Sequence, residues 1–213
     1  MRDFPIFDTE YGIASLVLKE VPYREEAYIV IQSTQQPEEL LRECVSFCRA
    51  VGAEKIYARG HESLEQYPLH TIIYEMRGQA MVDDDLLEHL WPVTEDTVGK
   101  WRGLMNERMA GIDHAVTLEK TSEQEILTSG GAYFVHRDGE ALGAFWLRED
   151  EISLIASLVP GAGQRVLHTL FSLVPNRTLR LQVVSTNAKA IRFYEKMGFL
   201  MTGEAHRWYR VLP

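Results

Sequence analysis

The sequence predicts an α/β fold: a mixed, mostly antiparallel sheet flanked by helices, preceded by a smaller α/β N-terminal domain. Three observations predict it. Short β-branched and aromatic runs alternate with longer stretches of helical apolar period along the whole chain. Asp138-Gly139 joins two runs of strand period, the strongest short-range signal of a tight hairpin. Beyond that hairpin the order becomes strand, Gly-rich turn, helix, strand, helix, in which a helix crosses between parallel strands.

The elements follow in order. Residues 13–19 and 27–32 are β-branched runs parted by Pro22 and a charged turn, and both read as strands. A helix opens at Pro37, with Glu38 and Glu39 in its first turn and Gly52 at its end; Leu40, Leu41, Cys44, Val45, Phe47, Cys48 and Val51 make its apolar face. Lys55–Arg59 and Leu69–Met76 read as strands. Asp83, Asp84 and Asp85, with Pro92 soon after, mark a boundary, which sets domains at 1–85 and 90–213. Consecutive acidic side chains diverge, so this run reads as solvated charge and no metal site is assigned.

Thr94 opens a second helical pattern carrying Val98, Trp101, Met105 and Met109, closed by Gly111. Ser122 and Glu125 have capping-box spacing for a short helix ended by Gly130 and Gly131. Strands 132–137 and 140–148 flank the Asp-Gly turn, and Ile152–Val159 follows as the third antiparallel strand. It runs into Pro160-Gly161-Ala162-Gly163, a helix over about 164–173, a strand at Leu179–Val184, a helix from Asn187 to Gly198 and a last strand at His206–Val211. On the Asn187–Gly198 helix, Ala190, Ile191, Phe193, Tyr194 and Met197 share one side.

Composition narrows the function. The chain has 213 residues, 46% hydrophobic and 25% charged, which is a globular make-up and neither disordered nor collagen-like. With 22 Lys and Arg against 31 Asp and Glu, the formal charge is −9, and the long-range field repels phosphate polymers; nucleic acid is excluded as a partner. No run of about 18 apolar residues exists, and the N-terminus lacks the apolar core of a secretory leader, so the expectation is a cytoplasmic protein without a membrane partner. Cys44 and Cys48, four apart on a helix face, read as small buried hydrophobes.

The stretch Leu181-Gln-Val-Val-Ser-Thr-Asn187-Ala-Lys-Ala-Ile-Arg-Phe-Tyr194-Glu-Lys-Met-Gly198-Phe199 closely resembles the signature of the GNAT superfamily of acyl-CoA-dependent N-acetyltransferases: a strand, an Asn, an Ala, then Tyr-Glu-Lys-x-Gly-Phe. The element order extends this resemblance over about residues 92–212. It implies an acetyltransferase that moves an acetyl group from acetyl-CoA to a primary amine, of a small molecule or a peptide, by direct attack in a ternary complex.

It also implies site roles. Tyr194 stands where the family's tyrosine protonates the departing thiolate, a role suited to a phenol with pKa of about 10. Gly161, Ala162, Gly163, Gln164 and Arg165 stand where a Gly-rich turn and helix start wrap the CoA pyrophosphate, which free N–H groups and the helix dipole favour on physical grounds. Pro160 directly precedes Gly161, so this loop is shorter than the family's and lacks its usual Arg or Gln. Ser157, Leu158 and Val159 would lend backbone groups to the pantetheine arm, and Asn187 would lie on the same line of its helix as Tyr194, two turns away.

For a base that takes the amine proton, His136, Glu149, Asp150 and Glu151 are candidates by nearness, while His168 reads as a packing residue. The alternative to an enzyme is a GNAT-like acyl-CoA-binding or interaction module without turnover. Within the first 85 residues, two strands, a helix and two more strands resemble a reduced half-copy of the same fold, without a Gly-x-Gly turn or an Asn187–Gly198 counterpart.

Overall fold

A computed structural model describes residues 5–212. Residues 1–4, where the reading for a leader begins, and residue 213 lie outside the described residues. The fold is the expected α/β arrangement of a mostly antiparallel sheet with helices on it. Two compact units divide the chain, residues up to 73 with 204 onward, and residues 74–203.

The first unit begins with strands β1 (Ile6–Thr9) and β2 (Gly12–Val17), an antiparallel hairpin in register Ile6↔Ser15 to Thr9↔Gly12. Strand β1 lay outside the sequence expectation because four residues carry little periodic signal. A single helical turn, α1 (Val21–Arg24), leads to β3 (Glu26–Thr34). Helix α2 (Pro37–Ala50) then crosses over to β4 (Lys55–Arg59). Strands β3 and β4 are parallel and paired along their whole common length, from Glu26↔Lys55 to Val30↔Arg59. The first residues of β5 (Leu69–Gln79) and the end of β11 (Leu200–Leu212) complete this sheet, with Tyr209↔Ala58 antiparallel to β4.

Alternation of side chains sorts the two faces of this sheet. Ala14, Leu16, Ala27, Ile29, Ile31, Ile56 and Ala58 meet Leu40, Leu41, Cys44 and Cys48 of α2. On α2 the expected apolar face is narrower than the sequence suggests, because Phe47 and Val51 stay exposed; Phe47 meets the ring of Phe7 at 5.5 Å. Tyr28, Tyr57 and Trp208 lie on the other face, with Tyr28 5.5 Å from Tyr57 and 5.3 Å from Trp208.

In the second unit, the edge strand is β6 (His89–Pro92), which pairs with β7 (Ala132–Arg137) from His89↔His136 to Pro92↔Tyr133. Between them run α3 (Val98–Met109) and α4 (Glu123–Ser129). The capping box expected at Ser122 does not form: Ser122 ends a 3-10 turn, its side chain caps nothing, and Glu125 turns to Arg148 at 3.1 Å. Strands β8 (Glu140–Arg148) and β9 (Glu151–Ser157) continue the meander. The Asp138-Gly139 turn has both residues at positive φ, 51° and 84°, as a type I′ hairpin requires.

Helix α5 (Gly163–Phe171), strand β10 (Thr178–Val184) and helix α6 (Ala188–Lys196) follow. Helices α5 and α6 share one core with Phe145, Leu147, Ile152, Leu181 and Val183. On the other side Trp101, Met105 and Ile126 pack on Ala144, Trp146 and Ala156. Central strand β8 is therefore buried from Leu142 to Leu147 on both faces. Gly143 permits this: a Cβ there would collide with Val166 of α5 and the carbonyl of Ala156.

Candidate active site

Strands β9 and β10 are parallel, as the crossover helix requires, yet they share one register pair, Arg180↔Glu151. There the Arg180 N–H donates to the Asp150 carbonyl at 2.9 Å. Beyond that point the two strands part. In the first unit the corresponding parallel pair, β3 and β4, stays closed over five registers. The second unit therefore has an open wedge between its parallel strands and the first has none.

Ion pairs fasten the narrow end of the wedge. Arg180 meets Asp150 at 3.5 Å and Glu151 at 3.4 Å, and Arg148 meets Glu151 at 3.4 Å. This removes Asp150 and Glu151 from the candidate bases. Both carboxylates are engaged, and about 3.3 Å per residue of strand places them roughly 20 Å from Ser157 at the wide end. His136 sits on β7 with its ring 5.5 Å from that of His89, in the outermost strand pair. His168 packs on Phe171 at 5.6 Å, and its Nδ1 accepts from the Asp83 N–H, in keeping with a packing role.

At the wide end, the Leu158 N–H donates back to Leu142 of β8 at 2.8 Å. Alternation along the strand turns the Ser157 N–H the opposite way, to the open edge. The Ser157 hydroxyl donates to the Val159 carbonyl at 2.7 Å, which also receives the Ala162 N–H at 3.2 Å, so the bend after β9 is fixed from within.

Gly161 turns the chain at φ +84°, and α5 starts two residues later with no side-chain cap at Ala162. The N–H groups of Gly163, Gln164 and Arg165 have no acceptor among the described residues, so the positive end of this helix is bare. Phe193 of α6 packs beside Gly163, and Gln164 reaches Met197, which joins the turn to α6. The Arg165 side chain is not at this turn's service: its guanidinium donates to Glu88 at 2.9 Å.

Asn187 caps α6, its Oδ1 accepting from the Ala190 N–H at 3.1 Å. The inward side of α6 consists of Ala190, Ile191, Phe193, Tyr194 and Met197, as its periodicity foretells. Tyr194 rests against Phe193 at 5.4 Å and Phe199 at 5.7 Å, in the same apolar cluster as Ile155 of β9, Val159 just after it and Val183 of β10. Its hydroxyl makes no hydrogen bond to any described residue, and burial alone pushes the phenol up to about 12. Tyr194 therefore stays protonated across the physiological range with its proton uncommitted.

Two residues near the wedge were invisible in the sequence. Arg108 of α3 donates to the Leu158 carbonyl at 2.8 Å, and Asp113 accepts from the Thr186 hydroxyl at 2.7 Å. Together they tie the segment after α3 to the ends of both parting strands. Neither belongs to a local motif; the partners lie 50 and 73 residues away. Among the described residues no group of three or more His, Cys, Asp or Glu could hold a metal ion, and no helix is long and apolar enough to cross a membrane.

No family model and no curated protein matches this sequence. Solved structures do resemble it. A functionally unknown conserved protein from Staphylococcus epidermidis superposes with TM-score 0.60 at 9% identity, over 99% of this chain and 94% of its own. A GCN5-related N-acetyltransferase from Sphaerobacter thermophilus gives TM-score 0.55 at 12% identity, over 94% of this chain and 77% of its own. Another GCN5-related N-acetyltransferase, from Anabaena variabilis, gives 0.57 at 10% identity, over 86% of this chain and 54% of its own. The chain has the fold of the GNAT acetyltransferases.

Proposed function

We propose that this chain is an N-acetyltransferase, which transfers the acetyl group of acetyl-CoA to a primary amine of a small molecule or peptide. The observation that carries this reading is the Tyr194 hydroxyl, unpartnered and held neutral by burial, in the apolar cluster shared by the two parting strands. The GNAT fold supports the acyltransferase class. The unit of residues 74–203 would be the catalytic one, and the first unit, whose parallel strands stay closed, a half without a cofactor wedge.

In this reading the Ser157 N–H pairs with the amide-bearing arm of acetyl-CoA as an added strand would, with Leu158 and Val159 alongside. The bare N–H groups of Gly163, Gln164 and Arg165 receive the pyrophosphate; Gly161 and Ala162 set their direction. Asn187 fixes the start of α6 and so the position of Tyr194 two turns on. The acceptor nitrogen attacks the thioester carbonyl carbon, the carbon–sulfur bond breaks, and the sulfur takes the proton of the Tyr194 hydroxyl. The ammonium proton released from the acceptor passes to water, and Tyr194 regains one from solvent. Buried free thiols at Cys44 and Cys48 suit a reducing cytoplasm.

Calorimetric titration with acetyl-CoA, followed by an amine panel assayed for acetylation, tests the proposal. Binding with turnover that Tyr194→Phe abolishes is expected. Binding without turnover on any amine would make the chain a binding module, and no heat at all would overturn both readings.

A further inference from the structure

Among the described residues six arginines are half-buried, and five of them have an acidic partner. Arg24 meets Glu20, Arg102 meets Glu123, Arg148 meets Glu125 and Glu151, Arg165 meets Glu88, and Arg180 meets Asp150 and Glu151. Arg59 is the exception. Among the described residues its side chain makes no ion pair and no hydrogen bond, and its Nε is buried without a partner. An unpaired guanidinium withdrawn from water is costly, and an orphaned buried donor calls for a partner that the chain itself does not supply.

The surroundings define the partner's chemistry. Arg59 ends β4, where Gly60 at φ +101° turns the chain off the sheet. Its guanidinium lies 5.2 Å from the centre of the Trp208 ring, one step beyond the Tyr209↔Ala58 pair. The cation is drawn to the indole face, and its Nε–H, which has no acceptor in the protein, is left for a ligand. His206 lies on the same strand as Trp208, and burial and the charge of Arg59 lower its pKa, so at neutral pH it offers a donor or acceptor without charge. The total is one positive charge, a planar donor fork and an aromatic wall. That matches a planar monoanion, whereas a phosphate dianion asks for at least one further cation.

We propose that Arg59, Trp208 and His206 form a binding site in the N-terminal unit for a small carboxylate, held by the Arg59 fork with its carbon skeleton along Trp208. This does not rest on the acetyltransferase reading, since all three residues lie outside residues 74–203.

Sodium benzoate is the probe, with benzamide as neutral isostere and phenyl phosphate as dianion, each titrated by calorimetry into the full chain and into Arg59→Met. Benzoate should bind the wild type and shift the Arg59 Nε–H resonance, while Arg59→Met weakens it about tenfold or more, the loss expected for a charge-assisted hydrogen bond. Benzamide should bind no better to the wild type than benzoate binds to the variant. Absence of benzoate binding, equal binding to both proteins, or phenyl phosphate binding more tightly than benzoate overturns the proposal. Should Arg59→Met fail to fold, the Nε–H resonance of the wild type decides: unmoved by benzoate, it refutes the site.

Discussion

Arg165 donates to Glu88 across 77 residues of sequence, and the Glu88 side chain is only 4% exposed. Arg137 donates to the same carboxylate. A nearly buried carboxylate between two guanidiniums is strongly committed, and its capture of Arg165 leaves the start of α5 with backbone donors alone. Glu88→Gln should therefore act in two opposite ways. Stability falls by about 1–3 kcal/mol, since two half-exposed cations lose their shared partner. The freed Arg165 adds a positive charge near the bare N–H groups, so acetyl-CoA binding tightens. Thermal melts and calorimetry on the one variant read both effects, and weaker acetyl-CoA binding at unchanged salt would contradict the second.

Tyr194 lends itself to a pH test. Its phenol, at about 12 because burial disfavours the phenolate, remains the acid form through the range in which an ordinary tyrosine titrates near 10. As pH rises from 7 to 10 the acceptor amine gains its neutral form while Tyr194 keeps its proton, so the acetylation rate should climb and show no descending limb below about pH 11. Tyr194→Phe should lower kcat by about 100-fold or more. Its melting temperature should hardly move at neutral pH, because the hydroxyl has no hydrogen bond to lose. The raised pKa also fixes a stability sign. Between pH 10 and 12 the unfolded chain releases this proton and the folded one does not, so stability falls as pH rises through that window, and the fall should be smaller in Tyr194→Phe.

The narrow end of the wedge rests on the one register pair of β9 and β10, and a pair of substitutions at Arg180 separates its backbone bond from the ion pairs around it. Arg180→Ala removes contacts to Asp150 and Glu151 among groups 35–43% exposed, and such pairs are worth about 0–1 kcal/mol. Arg180→Pro also removes the N–H that donates to the Asp150 carbonyl where β9 and β10 pair, and should cost about 3 kcal/mol or more. Urea denaturation of the two variants checks the difference; equal losses would mean that the strands are held together elsewhere.

What the residues revealed beforehand and what they hid divides along sequence distance. The 138–139 turn and the inward side of α6 were legible because each is decided within a few residues, by positive φ in one case and a 3.6-residue period in the other. The start of the helix at Asn187, which caps it, was legible for the same reason. Strand β6 was not, since four residues containing Pro92 look like a break until β7 pairs with them. Nor were the engagements of Glu88 with Arg165 or Asp113 with Thr186, in which surface-type residues from distant segments meet only once the sheet has brought them together. The parting of β9 from β10 had no signal of its own, because both strands carry ordinary apolar runs and only their pairing shows where the ladder stops.

The two cysteines give a readout of the first unit. Cys44 and Cys48 are fully buried on the inner side of α2, and burial pushes their thiols up to about 12 and about 11. At pH 8 the attacking thiolate is then scarce as well as shielded, whereas in the unfolded chain an ordinary thiol near 8.5 is partly ionised and open to reagent. A disulfide reagent such as DTNB should label neither cysteine in the native protein over the time in which it labels the urea-unfolded chain completely. The slow native rate should rise with urea in step with opening of the α2 core, and Leu40→Ala, which removes a fully buried neighbour at a cost of about 2–5 kcal/mol, should raise it at least tenfold without denaturant. Prompt labelling of either thiol in the native wild type would mean that α2 opens independently of its core.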